Sequence, residues 1–135
     1  IKCRVSDLRA ASRISGGVRG IRLDDDSAVG MGVVFPGACL LTVTQRGFGK
    51  LTKVPNYLRH KRGGKGIRAH RVSEKTGKLA GCKLASTDGY LVMLSSKGNV
   101  VRIPMAQISI QSRNTRGVRL MTLDEDDSVV SLATL

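Results

Sequence analysis

Tryptophan is absent from this 135-residue chain, and only four aromatic residues are present: Phe35, Phe48, Tyr57 and Tyr90. So few rings argue against base-stacking RNA readers, which depend on aromatic platforms. Any core must be aliphatic. Three cysteines, Cys3, Cys39 and Cys82, are odd in number, far apart and never arranged as C-x-x-C. Each lies in an apolar stretch, so free buried thiols in a reducing compartment are expected, with neither disulfide framework nor metal site. No apolar run approaches the ~20 residues that cross a bilayer, and the N-terminus has no signal-peptide h-region. Proline is scarce at three residues, and 41% of the residues are hydrophobic, which excludes a disordered chain. No helical period persists for ten residues; the best short exception is one turn near Ser6–Ala11.

Acid is the other scarcity. Ten Asp and Glu face 23 Lys and Arg, for a net charge of +13. Seven of the ten form two clusters, Asp24-Asp25-Asp26 and Asp124-Glu125-Asp126-Asp127. From Ser27 to Ser73 there is none, while Arg46, Lys50, Lys53, Arg59, Lys61, Arg62, Lys65, Arg68 and Arg71 accumulate. One-sign charge over such a length repels itself unless a polyanion relieves it. Nucleic acid is the expected partner. A membrane surface is not, because no basic amphipathic helix is visible.

The charge is laid out on a repeat. Arg4-Val5-Ser6, Lys53-Val54-Pro55 and Arg102-Ile103-Pro104 recur at intervals of 49 residues. A polar, basic loop follows each and ends in Gly20-Ile21-Arg22, Gly66-Ile67-Arg68 and Gly117-Val118-Arg119. Next come a polar turn and an apolar run: Ala28–Met31, Leu79–Cys82 and Val129–Leu132. Each unit reads as four short strands. In the second, Leu40–Thr44, Lys50–Val54, Ile67–Val72 and Leu79–Ala85 alternate or run apolar between glycine-rich turns. In the third the strands are Tyr90–Leu94, Val100–Ile103, Gly117–Met121 and Ser128–Thr134. The first unit begins at its second strand. The expected fold is all-β: propeller-like blades, roughly two and three-quarter four-stranded repeats over 1–37, 38–87 and 88–135. Such blades need neighbours, so the chain is expected to be part of a longer array, or copies of it to complete one another.

No Ser/His/Asp or Cys/His set has a supporting motif, and no catalytic or metal site is expected. His60 and His70 are expected at the surface near phosphate, and the acidic clusters as solvated hairpin turns. Lys61-Arg62-Gly63-Gly64-Lys65-Gly66 lacks P-loop spacing and leads into a strand. Its glycines can instead bring backbone N–H groups close to an anion, with lysine and arginine charge around them. Arg113-Asn114-Thr115-Arg116-Gly117 holds the same place in the third unit, and Arg13 and Arg19 flank Gly16-Gly17 in the first. One basic loop per blade makes an outer rim that contacts backbone rather than base edges. The candidate DNA-binding residues are Arg4, Arg13, Arg19, Arg46, Lys50, Lys53, Arg59, Lys61, Arg62, Lys65, Arg68, Lys97, Arg102, Arg113, Arg116 and Arg119.

Three stretches, Gly17–Leu23, Leu41–Lys50 and Ile108–Val118, resemble the C-terminal domain of the A subunit of bacterial DNA gyrase. The resemblance covers essentially the whole chain and looks like the last two and a half or so of that domain's six blades. It implies a β-pinwheel with strands exchanged between blades, and double-stranded DNA wrapped on a basic perimeter. It also implies partnership with the B subunit, and with the rest of the A subunit, in ATP-dependent negative supercoiling in the cytoplasm, at the nucleoid. The catalytic tyrosine, ATP and Mg²⁺ would belong to other parts of that enzyme, leaving this segment non-catalytic and without a cofactor. His60–Gly66 is close to the family's heptapeptide Q-R-R-G-G-[KR]-G, departing at His60 and Lys61. It looks like an equivalent loop in a later blade, so general DNA contact is implied and not that box's role in closing the wrap. The alternatives are the matching domain of topoisomerase IV, whose repeats are more degenerate, and a propeller-like module for an acidic protein partner. An RNA-binding or ribosomal protein is disfavoured by the aromatic shortage.

Overall fold

A computed structural model describes residues 1–135. Seven strands form in two sheets: β1 (Cys39–Thr44), β2 (Phe48–Lys53), β3 (Leu79–Ala85), β4 (Tyr90–Ser95), β5 (Val100–Pro104), β6 (Val118–Arg119) and β7 (Val129–Thr134). No α-helix is present; one-turn 3₁₀ segments follow the hairpin strands at Val54–Asn56 and Met105–Gln107, and a third lies at Val5–Asp7.

Each hairpin has a physical cause. β1 is rich in β-branched and aliphatic residues, and Gly47, at φ 85°, turns it into β2. The pair is antiparallel, from Cys39 opposite Lys53 to Val43 opposite Gly49. β4 and β5 repeat it around Gly98, also at φ 85°. β3 and β7 then add to β1 and β4, each with a register shift at its far end, between Val43 and Thr44 and between Leu94 and Ser95.

The first sheet has the order β3-β1-β2-β6, and the second β5-β4-β7. β6 belongs to the third repeat by sequence, yet it pairs with β2 of the second, Phe48 opposite Arg119 and Gly49 opposite Val118. Strands are therefore exchanged between consecutive units, which is the pinwheel arrangement. The core lies between the two sheets, around Leu41, Val43, Leu51, Leu91, Met93, Met105, Ile108 and Met121. Full burial of each such aliphatic side chain contributes about 1.5–3 kcal/mol.

Three expectations are corrected. Ile67–Val72 is not a strand, although the segment alternates. It belongs to neither sheet, and its Arg71 N–H instead donates to the Thr115 carbonyl at 2.9 Å. Residues 1–37 form no strand either; their apolar run lies against β3, where Gly30 meets Cys82 and Gly32 meets Leu84. The repeat registers also shift. The 3₁₀ turns align Val54–Asn56 with Met105–Gln107, 51 residues apart, so Arg102-Ile103-Pro104 ends a strand and does not match Lys53-Val54-Pro55. In the first unit the left-handed glycine matching Gly66 and Gly117 is Gly17, so Gly17-Val18-Arg19 replaces Gly20-Ile21-Arg22.

Candidate nucleic-acid interface

In this register the basic loops dock from unit to unit by one repeated set of bonds. The His60 N–H donates to the Lys2 carbonyl and the Gln111 N–H to the Leu51 carbonyl, both at 2.8 Å. Parallel bridges pair Lys2 with Arg59 and Leu51 with Ile110. The Arg22 N–H meets the Gly64 carbonyl (2.8 Å) as the Arg71 N–H meets that of Thr115. One arginine per loop reaches back to the loop before it: Arg62 Nη1 to the Arg19 carbonyl and Arg113 Nη1 to the Arg68 carbonyl, each at 3.1 Å. Arg62 Nε also donates to the Asp7 carbonyl.

The sixteen candidates thus divide. Arg4, Arg13, Arg19, Lys53, Arg59, Lys61, Lys65, Arg68, Arg102, Arg116 and Arg119 have exposed side chains. Lys65 lies 3.5 Å from Asp24, an exposed pair of small energetic weight. Arg102 stacks on Tyr90, its guanidinium carbon 3.8 Å from the ring centre, and Arg119 lies over Phe48. Arg62 and Arg113 spend part of their hydrogen-bonding capacity on loop carbonyls. Arg46 sits elsewhere, donating to the carbonyls of Asp124, Glu125 and Asp127. Lys97 pairs with Asp124 and Asp126 on the same acidic turn. The sequence list omits Arg22 and Arg71, equivalent and exposed residues that stand beside the docked loops.

Lys50 is a correction. Its side chain is fully buried, and Nζ donates to the carbonyls of Ser112, Arg113 and Thr115 and to the Thr115 hydroxyl at 2.5–3.1 Å. Burial first, and then the Arg113 charge, bring its pKa down to about 8. An ammonium with this many oxygens around it is a clamp for the third unit's basic loop, not a free phosphate contact.

His70 is a second correction, being buried under that same loop. Nε2 must donate to the Arg116 carbonyl (3.0 Å), so Nδ1 accepts from the Thr42 hydroxyl (2.9 Å). Burial lowers its pKa, the Arg116 carbonyl opposes that, and the Lys50 charge adds to it. His60 is half-buried, with Nδ1 2.9 Å from the Leu58 carbonyl.

Asp127 departs from the solvated-turn reading. It is buried and accepts from the Ser95 and Ser96 hydroxyls, the Lys97 and Ser128 N–H groups and the Asn99 amide. Burial would raise its pKa, but these donors outweigh it and hold the carboxyl below the usual range. The other acids of both clusters are exposed. Among the cysteines, Cys39 is buried while Cys3 and Cys82 are half-buried, and all three are free.

Antiparallel sheets of successive units, one of them completed by a strand from the next unit, with basic loops docked in one pose, define a β-pinwheel repeat array. A family profile described as the DNA gyrase C-terminal domain, beta-propeller, matches residues 1–34, 40–86 and 89–135. The chain belongs to that family. Among curated proteins, the DNA gyrase A subunit of Dehalogenimonas lykanthroporepellens is 40% identical across 97% of this chain and 17% of that protein. Its counterpart from Ureaplasma parvum is 37% identical across 98% of the chain and 16% of that protein. The chain thus spans about a sixth of the length of these relatives. Among solved structures, the gyrase A C-terminal domain superposes with TM-score 0.86 at 25% identity, covering 98% of this chain and 45% of that one. The C-terminal domain of DNA topoisomerase IV superposes with TM-score 0.87 at 17% identity, covering 98% and 42%, which shows a shared fold.

Proposed function

We propose that this chain binds double-stranded DNA along its basic loops without reading base sequence, and holds it in a bend as part of a gyrase A subunit. The observation that carries this reading is the docking pattern. Arg62 and Arg113 reach the same carbonyl one unit back, so successive loops repeat one orientation and leave Arg19, Lys61, Lys65, Arg68, Arg116 and Arg119 exposed. Repeated charges on a curved array match a phosphate backbone, and distributed contacts offset the several kcal/mol that tight bending costs. In the whole enzyme, such a bend would present a second DNA segment with fixed handedness, supporting ATP-dependent negative supercoiling with the B subunit. Both ATP and Mg²⁺ would act in those other parts, and this segment would contribute positioning alone.

The test is duplex binding against salt. If the six exposed loop bases and Arg13 each neutralise one phosphate, log K falls against log salt with a slope on the order of −6. Joint Lys61→Glu and Lys65→Glu substitution should weaken binding equally on unrelated duplexes and make that slope shallower. A flat salt response, or a loss confined to one sequence, contradicts the proposal.

A further inference from the structure

We propose that His70 is a positioning residue for the third unit's basic loop and releases it in acid, so that this loop's phosphate contacts depend on pH while those of the second unit's loop do not. The proposal rests on the reading of the loops as a DNA rim. The two docked loops sit over unlike positions. The Arg22 and Arg71 N–H groups reach the Gly64 and Thr115 carbonyls in the same way, so Ile21 and His70 hold one place in successive units. The same 49-residue interval matches Ile1 to Lys50; Gly66 packs on Ile1, and Gly117 on Gly49 just before Lys50. The second loop is therefore docked over Ile1 and Ile21, the third over an ammonium and an imidazole. In the third unit the two places carry Val101, opposite Met93 as Lys50 is opposite Thr42, and Met121. A basic pair is particular to the seat of the third loop.

A neutral imidazole fits this seat and an imidazolium does not. Nε2 donates to the Arg116 carbonyl of the loop, and Nδ1 accepts from the Thr42 hydroxyl. A proton on Nδ1 removes that acceptor and puts a second buried charge beside the Lys50 ammonium. The titratable and charged groups facing the pair are Arg113 and Arg116 of the loop, Cys82 of β3 opposite Thr42, and the buried Tyr57 near Thr52. No carboxylate bonds or pairs with His70 or Lys50, so a new positive charge there has no counter-ion. Burial holds the docked imidazole below the ordinary 6.5, and lifting the loop returns it to water and to its ordinary value. Docking therefore expels a proton: it is strongest above the ordinary value and is lost as pH falls through the docked one. Lys50, with its pKa at about 8, keeps its proton throughout this window. Ile21 has nothing to titrate, so the second loop stays in place.

The test is duplex binding against salt at about pH 7.5 and about pH 5.5, on either side of the ordinary histidine value. It uses a His60→Gln background, which leaves His70 the one imidazole and matches Gln111 of the third unit. The expected slope of log K against log salt is shallower by about 1–2 at the lower pH, as the contacts of Arg116 and Arg119 loosen at roughly 0.9 each. Adding His70→Gln, which is neutral at both pH values and can make both bonds, should hold the slope constant. In a second arm without DNA, nitrogen-15 NMR of the unsubstituted chain should show the Arg71 amide shifting together with the His70 imidazole while the Arg22 amide does not. A slope that is constant or steeper in acid, a change that survives His70→Gln, or Arg71 and Arg22 amides that move together would overturn the proposal. Absence of binding at both pH values would overturn the DNA reading instead, and the amide titration tells that failure from failure of the latch.

Discussion

Lys50 shows how one side chain can serve a charged surface without lying on it. Its ammonium holds the carbonyls of Ser112, Arg113 and Thr115, fixing a loop whose own charges point outward. Lys50→Met leaves those carbonyls without their donor, and a buried unsatisfied group costs about 1–3 kcal/mol. Urea denaturation should show a loss of that size, with a larger fall in DNA affinity than removal of one remote charge produces. His70 sits under the same loop and sets a pH dependence. Its folded-state pKa lies below the ordinary 6.5, so the unfolded chain takes up the proton first. The stabilisation is complete above that value and is lost as pH falls toward the folded-state pKa. His70→Gln should flatten this part of a Tm-against-pH curve; an unchanged slope would exclude the neutral, Thr42-bonded imidazole. Neither residue announces itself in sequence. Both are polar positions in a basic stretch, and only the strand exchange brings residues 112–116 over them.

At the scale of elements, hairpins were legible and loops were not. β3 falls on the expected Leu79–Ala85, and β1, β4, β5 and β7 lie within a residue or two of their expected bounds. Apolar alternation and a left-handed glycine act between neighbours in sequence, so they can be read locally. Ile67–Val72 carries the same alternation without becoming a strand, because a strand also needs an edge to pair with. The repeat was visible, but a base followed by a β-branched residue is too common a marker to fix its phase. Glycines at positive φ and 3₁₀ turns fix it instead, at 49 residues between the first two units and 51 between the next. Gly117 tests the exchange directly. Gly117→Ala combines a left-handed backbone with a Cβ 2.5 Å from the Gly49 carbonyl, and should cost about 1–3 kcal/mol. The urea midpoint measures it. A neutral result would mean that β6 does not pack on β2 as described.

For the whole molecule, the net charge of +13 is organised by strand exchange. The second and third units each give a strand or a loop to the one before, so their basic loops share a fixed spacing and pose. Asp24 alone of the two acidic clusters pairs with a loop base, Lys65; in the other cluster Asp127 ties Ser95, Ser96 and Asn99 together, and the same turn engages Arg46 and Lys97. The basic loops were legible as a class because composition and period reveal them. Removing Lys50, Arg46 and Lys97 from the open rim required the fold, since charge in a sequence does not say which partner neutralises it. The central claim is that the array bends DNA with one handedness. Its most direct measurement binds the chain to relaxed circular DNA, relaxes the complex with a topoisomerase, removes the protein and reads the linking number. The account predicts a shift of one sign that grows with bound protein and vanishes at high salt. Binding that leaves the linking number unchanged would contradict it.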